Sequence, residues 1–487
     1  MQTQLLGFAR DRLFKIENIS NTEMSLTANI ITNFFLVIAM ALYVFLGYML
    51  VRYAKVRAGD DFFVRLSPRG QTLCIAGLFA AALAVYMLVA AFGLGYYSDI
   101  DWYGDWGNYV LKHCIYNFYR DCDADYPPLF LYVNTALTWF ANSSHAPARF
   151  VYKAFFGLAT VLSGIPFYFV IKRRKGAFTA AIFTVLYLFA PVNLTDSAAW
   201  GQSDTLITCA AVVLYDFLSR EKWLAFFAAA LVAMLVKTQI ILLMPAAGLY
   251  LICLMIKRRL YLKFILYAVC ALILYIAMYL PFGLTYIDEG NLLFLIDIFG
   301  RQVGHYPYLS ANAGNIWSLF GLNYFSSAQG VGAALKYIAY ALTVAASVLI
   351  FIAVIRSRAE KNLRLALMFA LQGTACYLLL PAMHERYWVP VAGVMLISLA
   401  LCGNLKTTLF GLMLIGAQGL NILYVLFETV GMFKWVLQWI SVIWTIVSAA
   451  LICIAAYKAL FPERKFFGWM DDKKGGSDNG KSVSAER

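Results

Sequence analysis

Residues 223–256 read WLAFFAAALVAMLVKTQIILLMPAAGLYLICLMI, an apolar run interrupted by the polar triplet Lys237-Thr238-Gln239. An α-helix crosses a bilayer with roughly 20 apolar residues, so this run is long enough for two crossings joined by a turn. Over the whole chain of 487 residues, 62% are hydrophobic and the mean hydropathy is +0.72. The sequence therefore predicts an all-α, polytopic membrane protein.

Similar apolar runs recur over residues 28–460 and predict one transmembrane domain. We expect about 13 spans of roughly 17 to 25 residues. They lie near residues 28–52, 71–95, 149–171, 177–195, 203–218, 222–237, 238–256, 263–283, 331–355, 364–381, 387–402, 406–428 and 435–460. Residues 1–27 are an N-terminal segment, with an interfacial helix as one interpretation. The polar residues 461–487 are expected to form a disordered basic cytoplasmic tail.

Charge divides the gaps between spans into two kinds that alternate along the chain. Lys and Arg in short loops mark the cytoplasmic side. The basic gaps contain Arg52, Lys55, Arg57, Arg65 and Arg69; Lys172 to Lys175; Arg220 and Lys222; Lys257 to Arg259; Arg356, Arg358, Lys361 and Arg364; and Lys406. The acidic gaps contain Asp99, Asp101, Asp105, Asp121, Asp123 and Asp125; Asp196 and Asp204; Asp288 and Asp297; and Glu385. We expect the acidic gaps to lie on the extracytoplasmic face of a plasma membrane.

The net charge of +13 is accounted for by the cytoplasmic loops and their attraction to anionic membrane lipids. Nucleic acid is therefore not an expected partner. Most of the nine cysteines lie in or beside apolar runs, where they act as small apolar side chains. Cys114 and Cys122 instead share the first outer loop, residues 96–147, where an oxidising compartment permits a disulfide. Two free thiols are an alternative that the sequence supports equally well.

The first outer loop contains two acidic motifs. It opens with Tyr97-Ser98-Asp99-Ile100-Asp101, and it continues to Asp125-Tyr126-Pro127-Pro128 before an apolar stretch at 129–141. The prolines predict a new helix start, and we expect that helix to sit at the membrane without crossing it. Asp99 follows directly on a span, between aromatic residues, where partial desolvation favours a role as a base. Asp101 shares most of these features and is the reserve candidate.

Three further polar motifs stand in gaps that the topology places on the outer side. Trp200-Gly201-Gln202-Ser203-Asp204 joins two spans, and Trp200 is either a site residue or an interfacial anchor. Lys237, before Gln239, is either a phosphate ligand or a cation that snorkels to the headgroups. His384-Glu385-Arg386-Tyr387 lacks the second His of a zinc protease. No metal or other cofactor is expected, because the Asp99 and Asp101 pair alone is a weak cation signal.

Taken in order, these motifs resemble those of bacterial membrane mannosyltransferases related to the GPI mannosyltransferase II family. They are more distantly similar to the dolichyl-phosphate-glucose glucosyltransferases, and all of these enzymes belong to the GT-C class. The resemblance covers about residues 97–387. It implies a GT-C-like fold and transfer of a hexose from a polyprenyl-phosphate sugar to a hydroxyl of a glycan, lipid or protein acceptor.

The resemblance also implies a role for each motif. A catalytic Asp at the start of the first outer loop matches Asp99. A single inverting displacement needs a base for the acceptor proton, and a leaving lipid phosphate needs cations. The candidate cations are Lys237, His384 and Arg386, with Glu385 beside them. The candidates for positioning the sugar or the loop are Asp125, Tyr126, Trp200, Gln202, Asp204 and Gln239.

A secondary transporter or lipid flippase has a similar composition and is the main alternative. Transporters place ionisable groups near the bilayer midplane at paired broken helices, whereas the polar motifs of this chain lie at one side. A noncatalytic subunit that binds a sugar lipid is a third interpretation, and such a subunit would not need Asp99. The enzyme is the interpretation that the motif pattern favours.

Overall fold

A computed structural model of the chain describes residues 26–57, 62–93, 95–122, 124–304, 306–426 and 434–464. The expectations for residues 1–25, for Asp123 and for the tail from residue 465 lie outside these described residues. The longer α-helices are Leu26–Arg57, Pro68–Phe92, Tyr97–Lys112, Pro128–Ser144, Ala148–Leu188, Asp204–Ser219, Trp223–Val236, Met244–Arg258, Tyr261–Asp288, Phe294–Gly304, Gly330–Arg356, Lys361–Leu379, Val391–Cys402, Leu405–Leu426 and Lys434–Leu460.

Shorter elements connect these helices. Four-residue helices are Phe62–Arg65, Phe118–Asp121, Pro191–Leu194 and Ile316–Leu319; 3₁₀ turns are Ile115–Asn117 and Thr238–Leu243; and Thr195–Trp200 is a π-helix. Two short strands, Ser310–Ala311 and Met383–His384, pair in parallel with Ser310 opposite Met383. The predicted all-α class is therefore confirmed for the described residues, apart from this small ladder.

Eight helices in the described part of the chain are long and apolar enough to cross a membrane. This confirms the prediction of a polytopic membrane protein. The other predicted spans also fall on helices, but these helices are shorter or less apolar, as in Trp223–Val236 and Val391–Cys402. Whether those shorter helices cross stays a prediction.

The helix Ala148–Leu188 covers two predicted spans and bends between them. Its 41 residues would extend about 60 Å if straight, roughly twice the hydrocarbon thickness of a bilayer. Gly176 interrupts it with φ 84° and ψ 170°, a conformation that glycine adopts readily because it has no Cβ. The bend follows Lys172 to Lys175, where the sequence predicts a cytoplasmic turn.

The first outer loop is helical and has a hydrophobic core of its own. The helix Pro128–Ser144 begins at the second proline, as predicted, and its 17 residues do not form one of the candidate membrane spans. Tyr103, Phe118 and Phe130 pack in one cluster with Tyr152 of a membrane helix and Phe282. This cluster fixes the loop against the transmembrane bundle.

The centre of the bundle is the helix Leu405–Leu426, whose most apolar window is 89% buried. It packs against Lys434–Leu460 on one side and Leu26–Arg57 on the other. All nine cysteines are free in the structure, with Cys114 exposed and Cys122 half-buried. The structure thus favours the free-thiol alternative over the disulfide.

Candidate active site

Asp99 lies in the first turn of the helix Tyr97–Lys112. Its Oδ2 atom accepts hydrogen bonds from Trp200 Nε1, at 3.1 Å, and from Gln202 Nε2. The Arg386 guanidinium stands 3.9 Å from the same oxygen. All three contacts engage Oδ2, while the side chain as a whole remains 15% exposed. The carboxylate is therefore fixed through one oxygen, and Oδ1 is the oxygen left for a ligand.

The Trp200 motif forms a buried turn. The π-helix Thr195–Trp200 ends at Gly201, which has φ 87°, and a Cβ at Gly201 would stand 2.8 Å from Ile100 Cδ1. Glycine is needed there both for its φ and for the close approach of the first loop helix. Trp200 is only 1% exposed, so the structure excludes the interfacial-anchor interpretation.

Two tyrosines orient the Gln202 side chain. Its Oε1 accepts hydrogen bonds from Tyr103 Oη at 2.8 Å and from Tyr126 Oη at 3.2 Å. Because the amide oxygen faces these hydroxyls, its nitrogen must face Asp99. Tyr126, from the proline motif, therefore acts on Asp99 through Gln202.

Lys237 forms a buried ion pair with Asp204. Lys237 Nζ lies 2.8 Å from Asp204 Oδ2, and it stands 5.0 Å from the centre of the Tyr126 ring. Lys237 is buried and Asp204 is 0% exposed. Lys237 therefore does not snorkel to the headgroups, since its charge is neutralised by a carboxylate at the start of a neighbouring helix.

Arg386 joins the ion pair to Asp99. Its Nε atom stands 3.7 Å from Asp204 Oδ2, and its Nη1 donates to Glu385 Oε1 at 3.0 Å. The guanidinium also lies over the Trp200 ring, 5.3 Å from the ring centre, in a cation–π contact. Arg386 thereby joins its own motif to the Asp99 motif and to the motif that contains Trp200 and Asp204.

The remaining predicted residues surround this centre. His384 packs edge-on against Tyr306, with ring centres 4.1 Å apart, and its Nδ1 lies 3.9 Å from Glu385 Oε2. Gln239 is buried, and neither of its amide atoms has a hydrogen-bond partner among the described residues. An unpaired buried amide is uncommon, so Gln239 is a natural contact for a ligand. Asp125 is half-buried next to Tyr126.

Asp101 lies apart from the cluster. Its carboxylate forms a two-point contact with Arg149, at 3.1 Å and 3.3 Å, and its side chain is 54% exposed. Asp99 and Asp101 therefore have different surroundings although they are two residues apart. Among the described residues, no hydrogen bond or ion pair joins Asp101 to the other motifs.

Sequence reasoning missed Tyr103 and Asp196 as site residues. Tyr103 lies four residues after Asp99, which places both on one helix face, so this signal was present in the sequence. Asp196 is fully buried in the π-helix, and neither carboxylate oxygen has a hydrogen-bond partner among the described residues. Asp196 stands in an acidic gap, but local sequence gives no sign of such complete burial.

Burial shifts the protonation of two carboxylic acids near the cluster. It raises the pKa of Asp196 well above the ordinary value, and the neighbouring Asp204 carboxylate adds to this shift. Burial also raises the pKa of Glu385, against the opposing effect of Arg386. Both shifts favour the neutral acids. Lys237 and Arg386 stand beside the carboxylates of Asp99 and Asp204.

A second charge cluster lies at the other end of the helix Asp204–Ser219. There Asp216 accepts contacts from Arg173, Arg174 and Arg220 at 2.8 to 3.1 Å. Sixteen residues separate the two helix ends by about 24 Å. The basic gaps that contain Arg173, Arg174 and Arg220 therefore lie at the opposite end of this helix from the candidate site.

Known proteins offer little guidance. No protein-family model matches the chain, and no curated protein shows significant similarity to it. Among solved structures, the chain is similar to the crystal structure of ArnT from Cupriavidus metallidurans bound to undecaprenyl phosphate. The two share 16% identity over 81% of this chain and 77% of that chain, with a TM-score of 0.43. Likeness at this level assigns neither activity nor ligand.

Proposed function

We propose that this protein is a membrane glycosyltransferase of the GT-C class. It transfers a hexose, mannose by the resemblance of its motifs, from a polyprenyl-phosphate sugar to an acceptor hydroxyl at the extracytoplasmic face. One observation carries the proposal. Trp200 and Gln202, about 100 residues beyond Asp99 in the chain, and Arg386, about 290 residues beyond it, all approach Oδ2 of this single carboxylate.

Asp99 acts as the general base in this proposal. The acceptor hydroxyl approaches Oδ1, its oxygen bonds to C1 of the sugar, and its proton passes to Asp99. The bond between C1 and the phosphate oxygen breaks at the same time, and polyprenyl phosphate leaves with the electron pair. A single displacement of this kind inverts the configuration at C1.

The charge of the cluster supports this step. The donor phosphate gains one negative charge as its bond to the sugar breaks, and Asp99 loses one as it takes the proton. The cluster around Lys237 and Arg386 thus loses one negative charge, so it becomes more positive as the phosphate becomes more negative. Charges that are already in place stabilise such a leaving group without reorganisation.

An apolar groove beside the cluster supports a donor that is carried by a lipid. It has a volume of about 520 Å³ and lies between the helices Asp204–Ser219 and Trp223–Val236, with a wholly apolar lining apart from Cys209. Its lining includes Leu206 and Val236, which are close in sequence to Asp204 and Lys237. A polyprenyl chain in this groove would bring its phosphate to the two cations.

The test uses purified protein in nanodiscs with a panel of labelled polyprenyl-phosphate hexoses. We expect release of labelled polyprenyl phosphate from one donor, and strongly reduced release with Asp99→Asn. Sealed vesicles that contain the protein, with donor added on one side, test the alternative function. Movement of intact donor across these vesicles without any release would overturn the proposal in favour of a flippase.

A further inference from the structure

The loop over residues 306–326 is folded tightly against the His384 motif. Three non-glycine residues with positive φ lie in these two segments, namely Asn312 at 63°, Tyr324 at 57° and Ala382 at 59°. The other three described residues of this kind lie at or just after the ends of long helices. Side chains rarely adopt this backbone conformation, and it persists where the surrounding structure enforces it, often at binding sites.

Hydrogen bonds hold this loop in place. Tyr308 and Ser310 form bridges with Ser326 and Asn323, and Ser310 also belongs to the strand that pairs with Met383–His384. The Asn312 carbonyl accepts from Asn421 Nδ2 at 2.9 Å and from Tyr424 Oη at 2.8 Å. The loop is therefore a fixed surface.

This surface carries three tyrosines, Tyr306, Tyr308 and Tyr324, which we call the tyrosine wall. Tyr306 packs on His384, and burial raises its pKa against the opposing effect of Arg386. Tyr324 packs on Tyr308, with ring centres 5.5 Å apart, and Asn312 Nδ2 donates to its hydroxyl at 2.6 Å. The Tyr324 side chain is nevertheless 48% exposed.

We propose that the tyrosine wall binds the acceptor, and that the acceptor is a carbohydrate. This inference rests on the function proposed above. Fixed aromatic rings present electron-rich faces, on which the C–H face of a pyranose packs, while its hydroxyls remain free to meet polar groups. The wall adjoins the His384 motif through the contact between Tyr306 and His384.

The strand edges of this surface are closed to a peptide. An extended peptide binds by adding to an open strand edge, but Ser310 pairs on one side with Asn323 and on the other with Met383. The loop also exposes Phe320 and Phe325 near Tyr324, so a lipid acceptor is the competing outcome that the experiment tests.

The experiment measures release of polyprenyl phosphate by the nanodisc protein with three kinds of acceptor. These are mixed mannan, glucan and galactan oligosaccharides, a Ser/Thr-rich peptide, and phosphatidylglycerol vesicles. We expect only the oligosaccharides to stimulate release. Tyr324→Asn removes the ring with a residue that tolerates positive φ, and it should raise the acceptor KM by about tenfold, as expected for one lost aromatic contact.

Two further variants separate binding by the ring from a structural effect. Tyr324→Phe keeps the ring face and should stay close to the wild-type acceptor KM. Tyr337→Ala removes an exposed tyrosine from the helix Gly330–Arg356 and should change neither the acceptor nor the donor KM.

Three outcomes would contradict the inference, each with donor transfer intact. These are stimulation by the peptide alone, stimulation by the vesicles alone, and an unchanged acceptor KM in Tyr324→Asn. Failure to release polyprenyl phosphate from any donor, with every acceptor, would instead remove the proposed function and this inference together.

Discussion

Replacing Asp99 by Asn tests the proposed base most directly. Asparagine keeps the size and shape of the side chain but cannot take a proton from the acceptor. Its amide oxygen can still accept from Trp200 Nε1 and Gln202 Nε2, the donors that engage Oδ2 in the wild type. The helix start should therefore keep its position, and the variant should fold.

The expected loss follows from the contacts of Asp99. With the amide oxygen held by Trp200 and Gln202, the amide nitrogen faces the position of Oδ1, where it offers a donor in place of an acceptor. General-base assistance contributes typically 10²- to 10⁴-fold, so turnover should fall by about that factor. The donor Kd should change much less, because Lys237 and Arg386 remain.

The assay compares single-turnover release of polyprenyl phosphate with donor binding measured separately. Asp101→Asn is the matched control, since it removes an exposed ion pair with Arg149, and such pairs contribute at most about 1 kcal/mol. Near-normal turnover in Asp99→Asn with an inactive Asp101→Asn would transfer the role of base to Asp101. Normal turnover in both variants would refute a base in the outer loop.

The remaining predictions concern the donor phosphate, the topology and the Trp200 turn. Lys237→Met should weaken donor binding by about 1.5 to 3 kcal/mol, roughly tenfold to a hundredfold. The double variant Lys237→Met with Asp204→Asn should restore thermal stability without restoring donor affinity. Recovered donor affinity in the double variant would leave Lys237 only a structural role. In a background without native cysteines, single cysteines at the exposed positions Ser98, Glu289 and Ala328 should react with an impermeant thiol reagent in intact cells. A cysteine at the exposed position Arg358 should not react. Reaction of only some of the first three would contradict a topology with one outer face. Gly201→Ala should destabilise the protein by at least 1 to 2 kcal/mol and lower its Tm, because Gly201 has a positive φ and Ile100 approaches it closely. Gly300→Ala, with open space around the added Cβ, should leave the Tm unchanged. Equal Tm values for the two variants would contradict the account of the turn.

The helical architecture could be predicted because hydropathy is a local property. Within the run over residues 223–256, the polar residues at Lys237 predict the end of one helix. In the structure, the helix Trp223–Val236 ends there and the turn Thr238–Leu243 follows. The bend at Gly176 follows a basic segment that was predicted as a loop. In both places, the residues that decide the structure lie within a few positions of the feature.

The arrangement of the candidate site could be predicted only in part. The order of the motifs suggested one site, but the contact between Asp99 and Trp200 joins residues 101 positions apart. Whether Lys237 snorkels or pairs depends on Asp204, which lies 33 residues earlier. Asp99 and Asp101 differ because residues two apart do not share a helix face, and local sequence does not reveal which face is buried.

The short ladder between Ser310–Ala311 and Met383–His384 links two parts of the reaction that would otherwise be independent. It joins the loop that carries the tyrosine wall to the segment that ends in Arg386. A displacement of the loop on acceptor binding would shift the segment that precedes Arg386, a cation of the proposed donor site. Binding of the first substrate should therefore preorganise the site for the second, and initial-rate kinetics should show synergy between donor and acceptor.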